Sequence, residues 1–205
     1  MRLARFIVCA GLSLAGCELP SGQTGSAGPQ SVIVVRDFRV TAQTRVVVDT
    51  SFGFSLSRGE PGVPLHQRAA GLTRAAAFGI ADALTDRLRQ LGHTAIHAEA
   101  ETPDPIGKSL IVVGTLRDVN EGHRRRVGND HATIAADVEI DEWAPGIRPI
   151  AALHLDSALL ADDGIAGPTG ADTAALGIAA ARLGREIAHS VVEIAGRSGI
   201  SPTGR

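Results

Sequence analysis

Three consecutive arginines preceded by a histidine, His123-Arg124-Arg125-Arg126, form the main charge cluster of the sequence. A guanidinium is a planar fork of donors that holds a carboxylate or phosphate through two bonds at once. The cluster therefore suits an anion: a lipid phosphate, a lipopolysaccharide phosphate or an acidic partner surface. A structural use is equally open. If a hairpin turns near Asn129, Arg117 falls opposite Asp141, and the arginines face a strand carrying Asp137 and Glu139 at diagonal pairing distance. Asp137, Glu139 and Asp141 do not make a calcium site, because same-face residues on a strand stand about 7 Å apart while calcium needs oxygens converging from a loop. His93, His97, His123, His131 and His154 are scattered without the company of a metal site. Gly107-Lys108-Ser109 imitates the end of a phosphate-binding loop, but Thr102 stands where its first glycine belongs and a strand follows where a helix is required. Nucleophile-elbow, zinc-protease and dinucleotide motifs are absent. No catalytic residue, metal ligand or cofactor is nominated, and the expectation is a protein that is not an enzyme.

Cys17 offers different chemistry. Arg2 and Arg5 precede an apolar run over residues 6–14, too short to span a bilayer as a helix and of the right length for a cleaved signal. The following Leu14-Ala15-Gly16-Cys17 resembles the lipobox of bacterial lipoproteins. That resemblance implies a signal peptide over residues 1–16 and an acylated Cys17 at the new N-terminus; an ordinary secretory signal is the alternative. At about 0.8 kcal/mol per buried methylene, two or more acyl chains anchor a protein stably. Glu18 stands where aspartate is the usual inner-membrane retention mark, which points to the outer membrane and a domain facing the periplasm.

The 205-residue chain, less its signal, is long enough for one domain with a sizeable core. It carries 22 acidic and 20 basic residues; two of the basic ones lie in the signal, and nothing in the balance points to nucleic acid. With Cys9 in the signal and Cys17 acylated, no thiol remains for a disulfide or thiolate metal site. Tyrosine is absent, Trp143 is the only tryptophan and Lys108 the only lysine. The core must be built from Ala, Val, Ile and Leu.

Residues 17–31 combine the acylated cysteine with a Gly/Ser/Pro tether, whose r.m.s. span is roughly 20 Å. A β-branched strand is expected over 32–35, running toward Asp37-Phe38, and another over 45–48. A loop follows over 51–64, then a helix over about 66–91 with an apolar repeat at Leu72, Ala76, Ile80, Leu84 and Leu88, ended by Gly92. Short and buried strands are read at 94–97 and 110–116, the latter at the sheet centre. Alternation over 133–141 and 151–155 predicts two strands with one face toward the core. A Gly/Pro loop over 164–170 precedes a helix over about 172–195, with Asp172 as N-cap and Leu176, Ala180, Leu183, Ile187, Val191 and Ile194 on one stripe. Gly177 and Gly184 share a face of that helix, for packing on the sheet or for a helix–helix dimer. These elements predict a single α/β (α+β) domain over 32–197, a mixed and mainly antiparallel sheet with two long helices on one face, and a flexible tail over 198–205.

The run Val112-Val113-Gly114-Thr115-Leu116-Arg117-Asp118-Val119, then Gly122-His123-Arg124-Arg125-Arg126-Val127-Gly128, together with Val35-Arg36-Asp37-Phe38, resembles the bacterial lipoproteins grouped as domain of unknown function 4410. The turn that is Gly-rich in that family reads Gly128-Asn129-Asp130-His131 here. The resemblance implies a binding or assembly role and brings no activity to particular residues. The expected function is a lipid-anchored, non-catalytic interaction or assembly module of the cell envelope, with a membrane and an envelope protein as partners. The alternative is a binder of a small ligand or of an anionic lipid or glycolipid through the arginine cluster.

Overall fold

The computed structural model describes residues 31–49, 63–99, 102–103, 105, 107–122, 131–144, 146–160, 173–200 and 202. Its elements are β1 (Val32–Arg36), β2 (Arg39–Val47), α1 (Leu65–Gln90), β3 (Ala95–Ala98), β4 (Ser109–Asn120), β5 (Thr133–Trp143), β6 (Ile147–Asp156) and α2 (Thr173–Arg197). The loops expected over 51–64 and 164–170, and the cap at Asp172, lie largely or wholly outside the described residues.

One sheet of six strands has the order β3-β1-β4-β5-β6, with β2 also paired to β4. The apolar run read as the central strand is β4, and it is central. On one side it meets β5 antiparallel, and β5 meets β6 antiparallel; these are the two longest ladders. On the other side β1 and β2 share its edge end to end, both parallel to it. Val32 to Val35 pair with Ser109 to Val112, and Arg39 and Val40 pair with Thr115 and Leu116. β1 and β2 are thus one strand broken at Asp37-Phe38.

The break has a physical cause. Phe38 turns into the core, 3 % exposed, and its ring lies on Gly114 of β4. A Cβ at Gly114 would meet three of its ring carbons, the farthest at 2.6 Å, where carbon atoms normally rest at about 3.5–4.0 Å. Two segments far apart in the chain therefore meet in one contact. Asp37, beside the ring, accepts from His97 Nε2 of β3 at 2.7 Å.

Alternation in β5 places Ile134, Ala136, Val138 and Ile140 in the core with Leu110, Val112 and Leu116 of β4. Both helices cover this face and none of the described residues forms a helix on the other. The helices run parallel: Gly79 of α1 lies by Ala180 of α2, and Leu84 lies by Gly184. Gly184 is what permits the close approach, since a Cβ there would stand 2.9 Å from the Leu84 backbone nitrogen, whereas Gly177 has nothing within 4 Å. The partner of the glycine face is α1 of the same chain.

Each helix ends in a left-handed glycine. Gly92 has φ 87° and Gly199 φ 70°. His93 N–H returns to Leu88 O at 3.0 Å, and Ile200 N–H to Ala195 O at 2.9 Å, the six-to-one bond that satisfies an orphan carbonyl. Ile200, placed in the tail by the sequence reading, is 1 % exposed and part of the core.

Candidate functional site

Cys17 and the cluster His123-Arg124-Arg125-Arg126 both lie outside the described residues. The structure describes the frame from which the cluster's connection leaves and to which it returns. β4 makes its last pair at Asn120, opposite Thr133 of β5, so positions 124–126 belong to the connection and not to β4. Gly122 opens it at φ 76°, its N–H held by Asn120 Oδ1 at 2.9 Å.

The base of that connection is a buried charged knot. Glu121 is 7 % exposed; its N–H donates to Val47 O at 3.0 Å, and its Oε2 accepts from Asp49 N–H at 2.9 Å. Arg68, in the first turns of α1, approaches the same oxygen at 3.4 Å and points its other nitrogen at Asp49 O, also 3.4 Å away. A carboxylate out of water needs such donors. On the far side of the connection, Ser157 Oγ accepts from Ile134 N–H at 2.8 Å and fixes the exit of β6. Sequence reading missed this knot because Asp49, Arg68 and Glu121 share no local spacing.

Three connections, β2–α1, β4–β5 and β6–α2, therefore leave one end of the sheet, which we term the distal end. Both helices begin there, and neither has an acidic residue in its first turn. Their N-terminal dipole ends are electropositive. Leu65 (53 % exposed) and Leu159 (84 %) stand out at the same end. The opposite, proximal end holds the start of β1, where the expected tether joins, with Ser109, Trp143, Ile147 and the close of α2. The two ends are separated by the 12 residues of β4, about 40 Å at about 3.3 Å per residue.

The proximal end has its own ionic tie. Glu142 is buried on the helix side of β5, and Lys108 Nζ reaches its Oε1 at 3.2 Å while Arg148 pairs with Oε2. Bonds from Arg148 and then Lys108 hold the Glu142 carboxyl below the ordinary 4.5. Lys108 also donates to Ser198 O at 2.6 Å, binding a cation to the carbonyl end of α2. Ser109 begins a strand, so the phosphate-loop likeness has no helix behind it.

On the helix-free face the expected register is corrected. Asp141 lies opposite Ile111, and Asp137 opposite Thr115, with a shift between Leu116 and Asp118. The hairpin is centred nearer to Arg126 than to Asn129, and the bulge releases Arg117 from direct pairing. Arg117 Nε bonds Asp137 Oδ1 at 2.9 Å rather than Asp141, and His154 Nδ1 reaches the same oxygen at 2.7 Å. Asp118 pairs with Arg45 of β2. Within the acidic stripe, Asp137 thus takes Arg117 and His154 of the neighbouring strands as partners. Burial first, and then repulsion from Glu139, push the Asp141 carboxyl above 3.8. Among the described residues no three His, Cys, Asp or Glu side chains gather as metal ligands.

The sequence matches no family model and no curated protein. Among solved structures it is similar to an uncharacterized protein at 15 % identity and TM-score 0.34, covering 78 % of this chain and 92 % of that one. A hemagglutinin homologue from Helicobacter pylori is similar at 10 % identity and TM-score 0.38, with 89 % and 88 % covered. A hypothetical protein from Chlamydia trachomatis is similar at 14 % identity and TM-score 0.32, with 79 % and 95 % covered. Scores of this size do not define a shared fold.

Proposed function

We propose that this chain is a lipid-anchored envelope protein, held by Cys17 at the outer membrane and facing the periplasm, that presents its distal end to a protein partner without catalysing a reaction. The observation that carries the reading is the separation of the two ends. The tether joins at Val32, while the arginine connection, the helix N-termini, Leu65 and Leu159 belong to the other end, about 40 Å away along β4. Exposed apolar anchors such as Leu65 and Leu159, at an end whose β4–β5 connection carries three arginines in its sequence, are the chemistry of a protein contact.

In-cell crosslinking with mass spectrometry tests this on the membrane-bound protein beside Cys17→Ala and Leu159→Asp forms. Envelope proteins captured by the parent, and lost from both variants, are the expected result. A Leu159→Asp protein that keeps every partner refutes the distal end as the contact.

A second reading, an anion binder, is favoured by the two helix N-termini, which lie at the end of the sheet from which the β4–β5 connection leaves. A phospholipid or glycolipid that co-purifies with the parent and is lost from an Arg124/Arg125/Arg126→Ala form, with no protein crosslinked, would put this reading first. The roughly 20 Å span of the tether is about half the length of the domain, so a headgroup of the anchoring membrane is the less accessible anion.

A further inference from the structure

The proximal end carries a surface that the distal contact leaves unused. β5 and β6 join there in a tight hairpin. Trp143 pairs with Ile147 across it, Ala144 N–H bonds Gly146 O at 3.2 Å, and Gly146 sits at φ 124°. Ile147 is 60 % exposed. Trp143 is half-buried against Val34 and Ile111 on the helix-free face. Beside the tip, Lys108 and Arg148 share the carboxylate of Glu142.

We propose that the Trp143–Ile147 hairpin rests on the headgroup surface of the bilayer that holds acylated Cys17. The inference rests on the anchoring proposed above. Its occupant follows from where the chain leaves the fold: β1 starts at Val32, paired with Ser109, and Ser109 pairs in turn with Trp143. The point where the chain enters β1 at Val32 is therefore two strands from the hairpin. A tether of roughly 20 Å r.m.s. span keeps this end at the membrane while the distal end stands away from it. The residue types fit an interface. Tryptophan favours the headgroup level, where its ring is apolar and its N–H wet, and arginine and lysine lay apolar stems along the boundary with the charge outward. Arg148 is 74 % exposed at its side chain, free to do so while still touching Glu142.

Trp143 reports on this directly, because the chain has one tryptophan and no tyrosine. Full-length protein purified from bacterial membranes is reconstituted into phosphatidylethanolamine/phosphatidylglycerol vesicles, with and without brominated acyl chains. The acyl mass on Cys17 and flotation with the vesicles are measured on the same sample. A ring held at the headgroup level comes within reach of brominated chains, so brominated lipid should cause a loss of emission. Ile147→Asp should restore most of that emission while flotation is unchanged. Acylated protein that floats without quenching overturns the hairpin contact and leaves the anchor standing, and so does equal quenching in Ile147→Asp. Absence of the acyl mass and of flotation overturns both.

Discussion

Replacing Gly114 by alanine sets two effects of opposite sign against each other. In a central strand alanine should be better than glycine by about 0.5–1 kcal/mol, because glycine loses more backbone freedom on folding. Against this, the new methyl meets three carbons of the Phe38 ring, all at 2.6 Å or less, when contact requires about 3.5–4.0 Å. The ring must move by about 1 Å or more in a core where Phe38 is 3 % exposed. Overpacking of this kind costs about 1–3 kcal/mol, and complete expulsion of the ring approaches the about 3–5 kcal/mol of deleting a buried phenylalanine. The clash wins, with a net loss of about 2–3 kcal/mol. For a domain of this size that is a fall in Tm of about 5–10 °C. Urea unfolding followed by Trp143 emission and circular dichroism measures it. The control is Phe38→Leu, alone and with Gly114→Ala, since a smaller side chain should relieve the overlap and make the alanine less harmful in that background. A Gly114→Ala protein as stable as the parent, or strict additivity with Phe38→Leu, refutes the contact as the reason for the glycine.

The helix glycines give a matched pair: Gly177→Ala should stabilise by about 0.5–1 kcal/mol from propensity alone. Gly184→Ala, which brings a methyl to 2.9 Å from Leu84 N, should destabilise by about 1–3 kcal/mol, and thermal melts separate the two. Burial lowers the His93 pKa below 6.5, so the unfolded chain takes up a proton that the folded one refuses. Stability should drop as pH falls below 6.5 toward the folded value, and His93→Leu should flatten that part of a stability–pH curve. Glu142 has the opposite origin and the same direction. Its folded pKa lies below 4.5, so its contribution is present above 4.5 and is lost as pH falls through the folded value, a slope that Glu142→Gln should remove in acid unfolding.

Periodicity made the long elements legible. Alternation in β5 and the apolar stripes of α1 and α2 each record a single face, which is local information. Pairing is not local. β1 and β2 were readable as apolar runs, but their sharing of one β4 edge depends on Phe38 meeting Gly114, which lie far apart in the chain. The bulge at Arg117 and the hairpin centre nearer to Arg126 were equally hidden, and it is the centre that moved the partner of that arginine from Asp141 to Asp137. At the distal end, charge density in the sequence pointed to residues 123–126, while the buried knot of Asp49, Arg68 and Glu121 had no spacing to reveal it. Gly92 announced the end of α1; Gly199 carried the same signal for α2, with buried Ile200 directly after it.

The shared β4 edge also sets an order of events for a chain made from its N-terminus. Val32 finds its partner only when Ser109 has emerged, roughly 77 residues and about 4–15 s later at synthesis rates of about 5–20 residues per second. Until β3 brings Ala95 opposite Ile33, Val-Ile-Val-Val is a β-branched stretch without a ladder, open to pairing with another nascent copy. β4, β5 and β6 are joined by successive antiparallel pairings and can close as soon as they appear. The two N-terminal strands, β1 and β2, thus wait longest for a partner, and a holding chaperone would find its cargo there.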